Sequence, residues 1–284
     1  MMYSKDEDIK TLEEALKKPC KNRDMDKALQ PMENFHSTPK GPYGQPLSFW
    51  ASWDLKDRPR RIALLLDDCQ EEYRPYAKKI LPNLKKLVDT FRKTRLESDG
   101  IRIMWSAWTR TFDDGIKNSM DRWYGSQGFN SKDPTNAVYI FGGAPGMKPL
   151  TEIAPTEQEV NDGWFYHGKH LDMFWTYDEK GNSYLDEKLK QAGIDTVVIV
   201  GLWTDECIMS TSYAANSRGY DVVVVNDSVA TATSNHEMSL KVLGGTVAKV
   251  LSTDEVLSYL KKDFVTGESG AVKGTRFPDG RKDN

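Results

Sequence analysis

Val197-Val198-Ile199-Val200-Gly201-Leu202, then Trp203-Thr204-Asp205-Glu206-Cys207, then Ile208-Met209-Ser210-Thr211-Ser212-Tyr213-Ala214-Ala215: this stretch decides how the chain folds. Its opening run holds only apolar residues and glycine. The run is too short and too β-branched for a helix and predicts a strand buried on both faces. The closing run predicts a helix. Cys207 then falls at a strand-to-helix turn, where unpaired N–H groups and the helix dipole favour a thiolate and can hold an oxyanion. A cysteine so placed is a candidate nucleophile. Its plainer reading is a small buried hydrophobe at a strand end.

Two further pieces lie upstream. Arg61-Ile62-Ala63-Leu64-Leu65-Leu66 predicts a second buried strand, and it runs into Asp67-Asp68-Cys69-Gln70. Carboxylates at the C-terminal end of such a strand lie where open α/β sheets place their ligand crevice, although helix capping or a solvated turn would also explain them. Lys169 sits in the short aromatic stretch Gly163-Trp164-Phe165-Tyr166-His167-Gly168-Lys169-His170, which fits another strand. Out of context, a lysine is a solvated surface group.

The remaining pattern alternates. A helix is predicted over Tyr76–Arg95, with Pro82 in its first turns or at a kink, and a strand over Ile101–Trp108. A helix over 183–193 leads into the Val197–Leu202 strand. After the helix behind Cys207 come a strand at Asp221–Val225, a helix at Asn235–Leu243, a strand at Thr246–Val250 and a helix at Thr253–Leu260. Alternation of this kind predicts a three-layer α/β domain built on a mainly parallel sheet of about six strands. Residues 1–45 are charged, polar and broken by Pro19, Pro31, Pro39 and Pro42, and read as an N-terminal extension or arm. Residues 46–262 form the main domain, with Phe49-Trp50-Ala51-Ser52-Trp53 as its lead-in, and 263–284 form a polar tail. The long irregular stretch from Thr109 to Gly163 has the length of a functional loop.

The 284 residues carry a net charge of −3, which advertises no nucleic-acid surface. No run is long and apolar enough to span a membrane, and the N-terminus has no apolar signal core. The cysteines are Cys20, Cys69 and Cys207, too few for a disulfide framework and consistent with a reducing compartment. Cytosol is the expected location.

Together, the three pieces resemble the isochorismatase-like cysteine hydrolases, the superfamily of nicotinamidases, N-carbamoyl-amide hydrolases and isochorismatases. The family's Asp-x-Gln is matched by Asp68-Cys69-Gln70, and its Gly-x-x-Thr-Asp-x-Cys by Gly201-Leu202-Trp203-Thr204-Asp205-Glu206-Cys207. Its lysine, which precedes an aromatic segment, is matched by Lys169. The usual Ser-Ala-Phe that follows is replaced by Met173-Phe174-Trp175. Further echoes are Ala214-Ala215-Asn216-Ser217-Arg218-Gly219-Tyr220, Asn226-Asp227-Ser228-Val229-Ala230 and His236-Glu237, so the likeness covers about residues 60–262.

The resemblance implies a Rossmann-type fold and a catalytic triad of Asp68, Lys169 and Cys207. Asp68 would take the thiol proton, and Lys169 would hold Asp68. The backbone N–H groups of Trp203 and Cys207 would form the oxyanion hole, with a cis bond at Leu202–Trp203. Amide attack would pass through a thioester. No cofactor is implied. Nicotinamidases carry an Asp-x-His metal site after the second strand, whereas this chain has Ser106-Ala107-Trp108-Thr109-Arg110, so no metal is expected. His167 and His170 read as structural or substrate contacts. Candidate substrate contacts are Gln70, Trp105, Trp108, Arg110, Trp175 and Trp203; the tryptophans read equally as core or subunit interface. The resemblance also favours a homodimer or homotetramer.

Three readings follow. The first is a metal-independent cysteine hydrolase that cleaves a C–N bond of a small amide or carbamoyl compound. The second is vinyl-ether hydrolysis of isochorismate, with Asp68 as acid and no nucleophilic cysteine. The third, from another class, is a non-catalytic interaction protein on a hydrolase scaffold, against which the intact Asp, Lys and Cys stand.

Overall fold

The computed structural model describes residues 60–97, 99–109 and 145–264. The expected arm at 1–45, the Phe49–Trp53 lead-in, Arg110, the stretch 111–144 and the tail beyond 264 lie outside the described residues. The strands are β1 (Ile62–Asp67), β2 (Ile101–Trp108), β3 (Phe165–Lys169), β4 (Thr196–Leu202), β5 (Asp221–Ala230) and β6 (Lys249–Leu251). They form a 6-stranded sheet in the order β3-β2-β1-β4-β5-β6, and every neighbouring pair is parallel. The helices are α1 (Arg74–Ala77), α2 (Leu81–Glu97), α3 (Glu157–Asn161), α4 (Tyr184–Gln191), α5 (Cys207–Ser217), α6 (His236–Thr246) and α7 (Thr253–Phe264).

The apolar runs exist because both sheet faces are covered. Successive strand side chains point to opposite faces. Ile62, Leu64 and Leu66 of β1 and Val198, Val200 and Leu202 of β4 therefore share one core with Leu84, Leu87 and Phe91 of α2 and Val256 and Leu260 of α7. Ala63 and Leu65, with Val197 and Ile199, share the other core with Leu185 and Leu189 of α4, Ile208 of α5 and Leu240 and Leu243 of α6. Each fully buried leucine or valine contributes about 1.5–3 kcal/mol relative to exposure, which is why a polar residue inside these strands is a signal. Among the described residues, no helix is long and apolar enough to cross a membrane.

Boundaries shift where local chemistry overrides the apolar pattern. The helix expected over Tyr76–Arg95 is divided, and Pro82 sits in the first turn of α2, where a missing N–H costs nothing. β5 continues past Val225 to Ala230, with a register shift opposite β4 between Ile199 and Gly201. Thr246 closes α6 rather than opening a strand, and β6 starts at Lys249. The short helix α3 was not expected. Thr156 and Glu159 start it with a reciprocal capping box, and Glu159 also anchors Arg92 at 2.7 Å.

The chain runs outward from β1 through β2 to β3, then returns to β4 beside β1 and runs outward the other way. In open α/β sheets such a reversal is where ligands bind, here at the carboxyl ends of β1 and β4. Gly201 lets the two strands close up there. Its φ is +117°, and a Cβ on it would lie 2.0 Å from the Asp67 carbonyl oxygen and 2.9 Å from the Cys69 sulfur. Gly201→Ala is expected to cost on the order of 3 kcal/mol or more in urea denaturation, from backbone strain and overpacking together. Unchanged stability would mean that β1 and β4 can part freely at this point.

Candidate active site

Asp67 ends β1 on the face it shares with Thr211 of α5 and Ser106 of β2, both of which donate to its carboxylate, at 2.8 and 3.3 Å. Asp68 then turns out of the strand with φ +52°, a left-handed conformation that is uncommon for a non-glycine residue. The turn breaks the alternation of the pleat and lets both carboxylates reach one cation. Lys169 Nζ lies 2.9 Å from Asp68 Oδ2 and 3.1 Å from Asp67 Oδ1. It also donates to the carbonyls of His170 and Leu171, at 3.0 and 3.2 Å.

Lys169 reaches this place through an irregularity in β3. Ala107 pairs with His167 and Trp108 with Lys169, so Gly168, at φ +83°, is the extra residue of a bulge. Plain alternation would leave Lys169 on the exposed side with His167. The bulge instead turns it inward, to 0% exposure.

Cys207 opens α5 and is 3% exposed, against 1% for Asp68. Glu206 N and Ile208 N both donate to the Trp203 carbonyl at 3.1 Å, which curls this segment into a tight turn. The N–H of Cys207 is a first-turn donor with no intrahelical partner. The Leu202–Trp203 peptide is cis. The motif's Thr204 and Asp205 fix the turn from outside. Thr204 Oγ1 meets His236 Nδ1 at 3.0 Å, and Asp205 accepts from Thr231, Thr233 and Asn235 on the loop after β5.

Burial dominates the electrostatics. It pushes Asp68 up to about 7; Lys169 opposes this, Asp67 reinforces it, and hydrogen bonding from Lys169 and Cys207 draws it back in part. Asp67 is raised as well, by burial, against the pull of Lys169, Thr211 and Ser106. Burial alone would lower Lys169, but Asp67 and then Asp68 more than reverse it and keep it protonated. The Cys207 thiol is pushed well above its usual value by burial; Lys169 offsets this in part, and Asp68 and Asp67 add to it. The thiolate expected from the helix N-terminus is therefore not the resting form. A base is needed to remove the thiol proton, and the Asp68 carboxyl is the group to which the thiol is hydrogen-bonded.

Two expected substrate contacts have their polar groups bonded within the protein. Gln70 is fully buried, and its amide is spent on the backbone: Nε2 donates to the Trp108 carbonyl at 3.2 Å, and Oε1 accepts from Trp108 N at 2.9 Å. It clamps the end of β2. Trp105 belongs to the core, where its Nε1 donates to the Ile153 carbonyl at 2.8 Å and the Arg92 guanidinium lies 5.4 Å from its ring. Trp108 closes β2 beside Lys169 and is buried. Trp175 is half exposed, edge-on to His170 and Tyr177. Trp203 is wedged between Tyr73 and Tyr76, each 4.9 Å away.

Tyr73 escaped the sequence reading. Its phenol is raised by burial and then by Asp68 and Cys207, which marks it as their neighbour. In the sequence it is only an aromatic residue in a short helical turn. The sequence reading places the Asp67 carboxylate at the crevice beside Asp68 but assigns it no role.

Known proteins share this framework. Residues 62–255 match the Isochorismatase domain family model. The chain is 27% identical over 206 residues to "Uncharacterized isochorismatase family protein YwoC" of Bacillus subtilis, covering 71% of this chain and 95% of that protein. It is 26% identical over 210 residues to the "Probable isochorismatase" of Pseudomonas chlororaphis, covering 73% and 89%. A cysteine hydrolase from Pseudomonas syringae superposes with a TM-score of 0.58 at 17% identity, covering 72% of this chain and 94% of that one, a likeness of fold.

Proposed function

The chain belongs to the isochorismatase family of hydrolases, and within it we propose a cysteine hydrolase that cleaves a C–N bond of a small amide or carbamoyl compound. The observation that carries this reading is the convergence of Asp68, Lys169 and Cys207 in one buried site at the sheet's switch point. Asp68 accepts the thiol proton as Cys207 Sγ attacks the carbonyl carbon. The resulting oxyanion is held by the backbone N–H groups of Trp203 and Cys207, each donor supplying about 3 kcal/mol of transition-state stabilisation. Collapse breaks the C–N bond, and the leaving amine takes the proton from Asp68. Water then gives a proton to Asp68 as its oxygen attacks the thioester carbon; collapse breaks the C–S bond, and the Cys207 thiolate takes the proton back from Asp68. Lys169 keeps Asp68 oriented and offsets the negative charge. The scheme draws only on residues of this chain and needs no metal.

Vinyl-ether hydrolysis is the second reading, favoured by one specific observation: a carboxyl raised to about 7 is part-protonated at neutral pH and can serve as an acid. The likeness to the Pseudomonas chlororaphis protein supports it. The two readings differ in the sign of their pH dependence. The cysteine route needs ionised Asp68, so kcat/KM rises with pH through a midpoint near 7. The vinyl-ether route needs protonated Asp68, so kcat/KM falls through the same midpoint. A screen of primary amides, ureido compounds and isochorismate, followed by a pH profile on whichever is turned over, decides between them. A rate on an amide that falls across this range would overturn the cysteine reading.

A further inference from the structure

We propose that Asp67 is a positioning residue that takes up the charge of Lys169 and so leaves Asp68 as the proton carrier of the site. The proposal rests on the cysteine-hydrolase reading for its chemistry but on separate residues for its evidence.

The site buries one cation against two carboxylates, so full ionisation would leave an uncompensated negative charge without solvent. The pair therefore holds one proton up to near neutrality, and the donors around each carboxylate decide where it sits. Asp67 accepts from Lys169 at 3.1 Å, Thr211 at 2.8 Å and Ser106 at 3.3 Å. Asp68 accepts from Lys169 at 2.9 Å through Oδ2 and otherwise has only the weak thiol donor of Cys207, with no N–H or hydroxyl donor on its Oδ1. An oxygen that meets only a weak thiol donor is a cheaper place for a proton than one held by hydroxyl and ammonium donors. The other titratable groups facing the pair add no compensating cation. They are the thiols of Cys207 and Cys69 and the phenols of Tyr73 and Tyr166, all raised by burial and hence neutral near pH 7, and on the Lys169 side the carboxyls of Asp172 and Glu206, also raised by burial.

Asp67 thus acts on Asp68 through a shared cation. Without Asp67, Lys169 would be committed to Asp68, which would ionise at lower pH and become a weaker base. With Asp67 present, Asp68 changes protonation near neutrality, where a general base that must both take and return a proton is most effective.

The test is the rate at which iodoacetamide alkylates Cys207 as a function of pH, read by peptide mass in wild type and Asp67→Asn, with a thermal melt to confirm folding. In wild type the rate should rise through a midpoint near 7. In Asp67→Asn the midpoint should move down by about one pH unit or more, because the like charge is gone and Lys169 serves one carboxylate. An unmoved or raised midpoint in a folded variant overturns the proposal. The second measurement needs no Asp67 variant. In wild type labelled with ¹³C at the aspartate carboxyls, one buried resonance should titrate near 7 and be absent from Asp68→Asn. If that resonance persists in Asp68→Asn, the proton belongs to Asp67 and the proposal fails. Absence of selective Cys207 alkylation in wild type would overturn the nucleophile reading alone, and the carboxyl titration would still decide the role of Asp67.

Discussion

Cys207→Ala is expected to lower amide turnover by about a thousandfold or more while the melting temperature moves little. On the proposed route the sulfur supplies the attacking electron pair, so the loss falls on the transition state. Its structural contribution is small. Cys207 is a small buried side chain at a helix start, and removing a thiol crowded by two carboxylates costs below about 1.5 kcal/mol. Asp68→Asn should lose a comparable factor, because a thiol raised by burial cannot shed its proton unaided. The double variant should be hardly worse than either single one, since the two act in one step. Rates and urea denaturation of the three proteins check this. Multiplicative losses would show that Asp68 and Cys207 work independently. Under vinyl-ether chemistry, Asp68→Asn is inactive and Cys207→Ala keeps most of its rate.

Lys169→Met should be the most destabilising of the site substitutions. It leaves Asp67 and Asp68 buried with no cation, and removing one partner from a buried ion pair costs about 3–5 kcal/mol. The sign of the pH effect follows from the raised carboxyls. Their folded-state values lie above the unfolded ones, so the folded state binds more protons between roughly pH 4 and 7. Stability is then fully present below the unfolded values and is lost as pH rises. With the lysine gone, both carboxyls climb further, and the deficit relative to wild type should be large at pH 8 and much smaller at pH 5.5. Urea denaturation at the two pH values reads it. A deficit equal at both would mean that the cost is lost packing of the lysine stem rather than stranded charge.

What the sequence made legible follows from how local each signal is. The run at Val197–Leu202 predicts β4 because both of its faces are buried, and the fall of Cys207 at the start of α5 follows from chain order alone. The alternating pattern likewise predicts the parallel sheet. The place of Lys169 is legible only through the family resemblance, because it depends on the bulge at Gly168. The left-handed backbone at Asp68 is equally silent, and it is what brings Asp67 and Asp68 to one ammonium. Gln70 and Trp105 are polar or amphipathic groups near a site whose tips are bonded to backbone, a fate visible only in three dimensions. The protonation of Cys207 is hard to read from sequence for a related reason. The helix N-terminus favours a thiolate, but full burial beside two acids outweighs it.

The central claim is that Cys207 becomes covalently bonded to the substrate's acyl or carbamoyl group. Acid-quenched mass spectrometry of the wild-type enzyme during turnover of a confirmed ammonia-releasing substrate tests it most directly. The account predicts a fraction of enzyme heavier by the acyl or carbamoyl group, with the added mass on the peptide that contains Cys207 and absent from Cys207→Ala. Product that accumulates while the Cys207 peptide stays unmodified at every quench time, with Cys207→Ala turning over at a near wild-type rate, would contradict it.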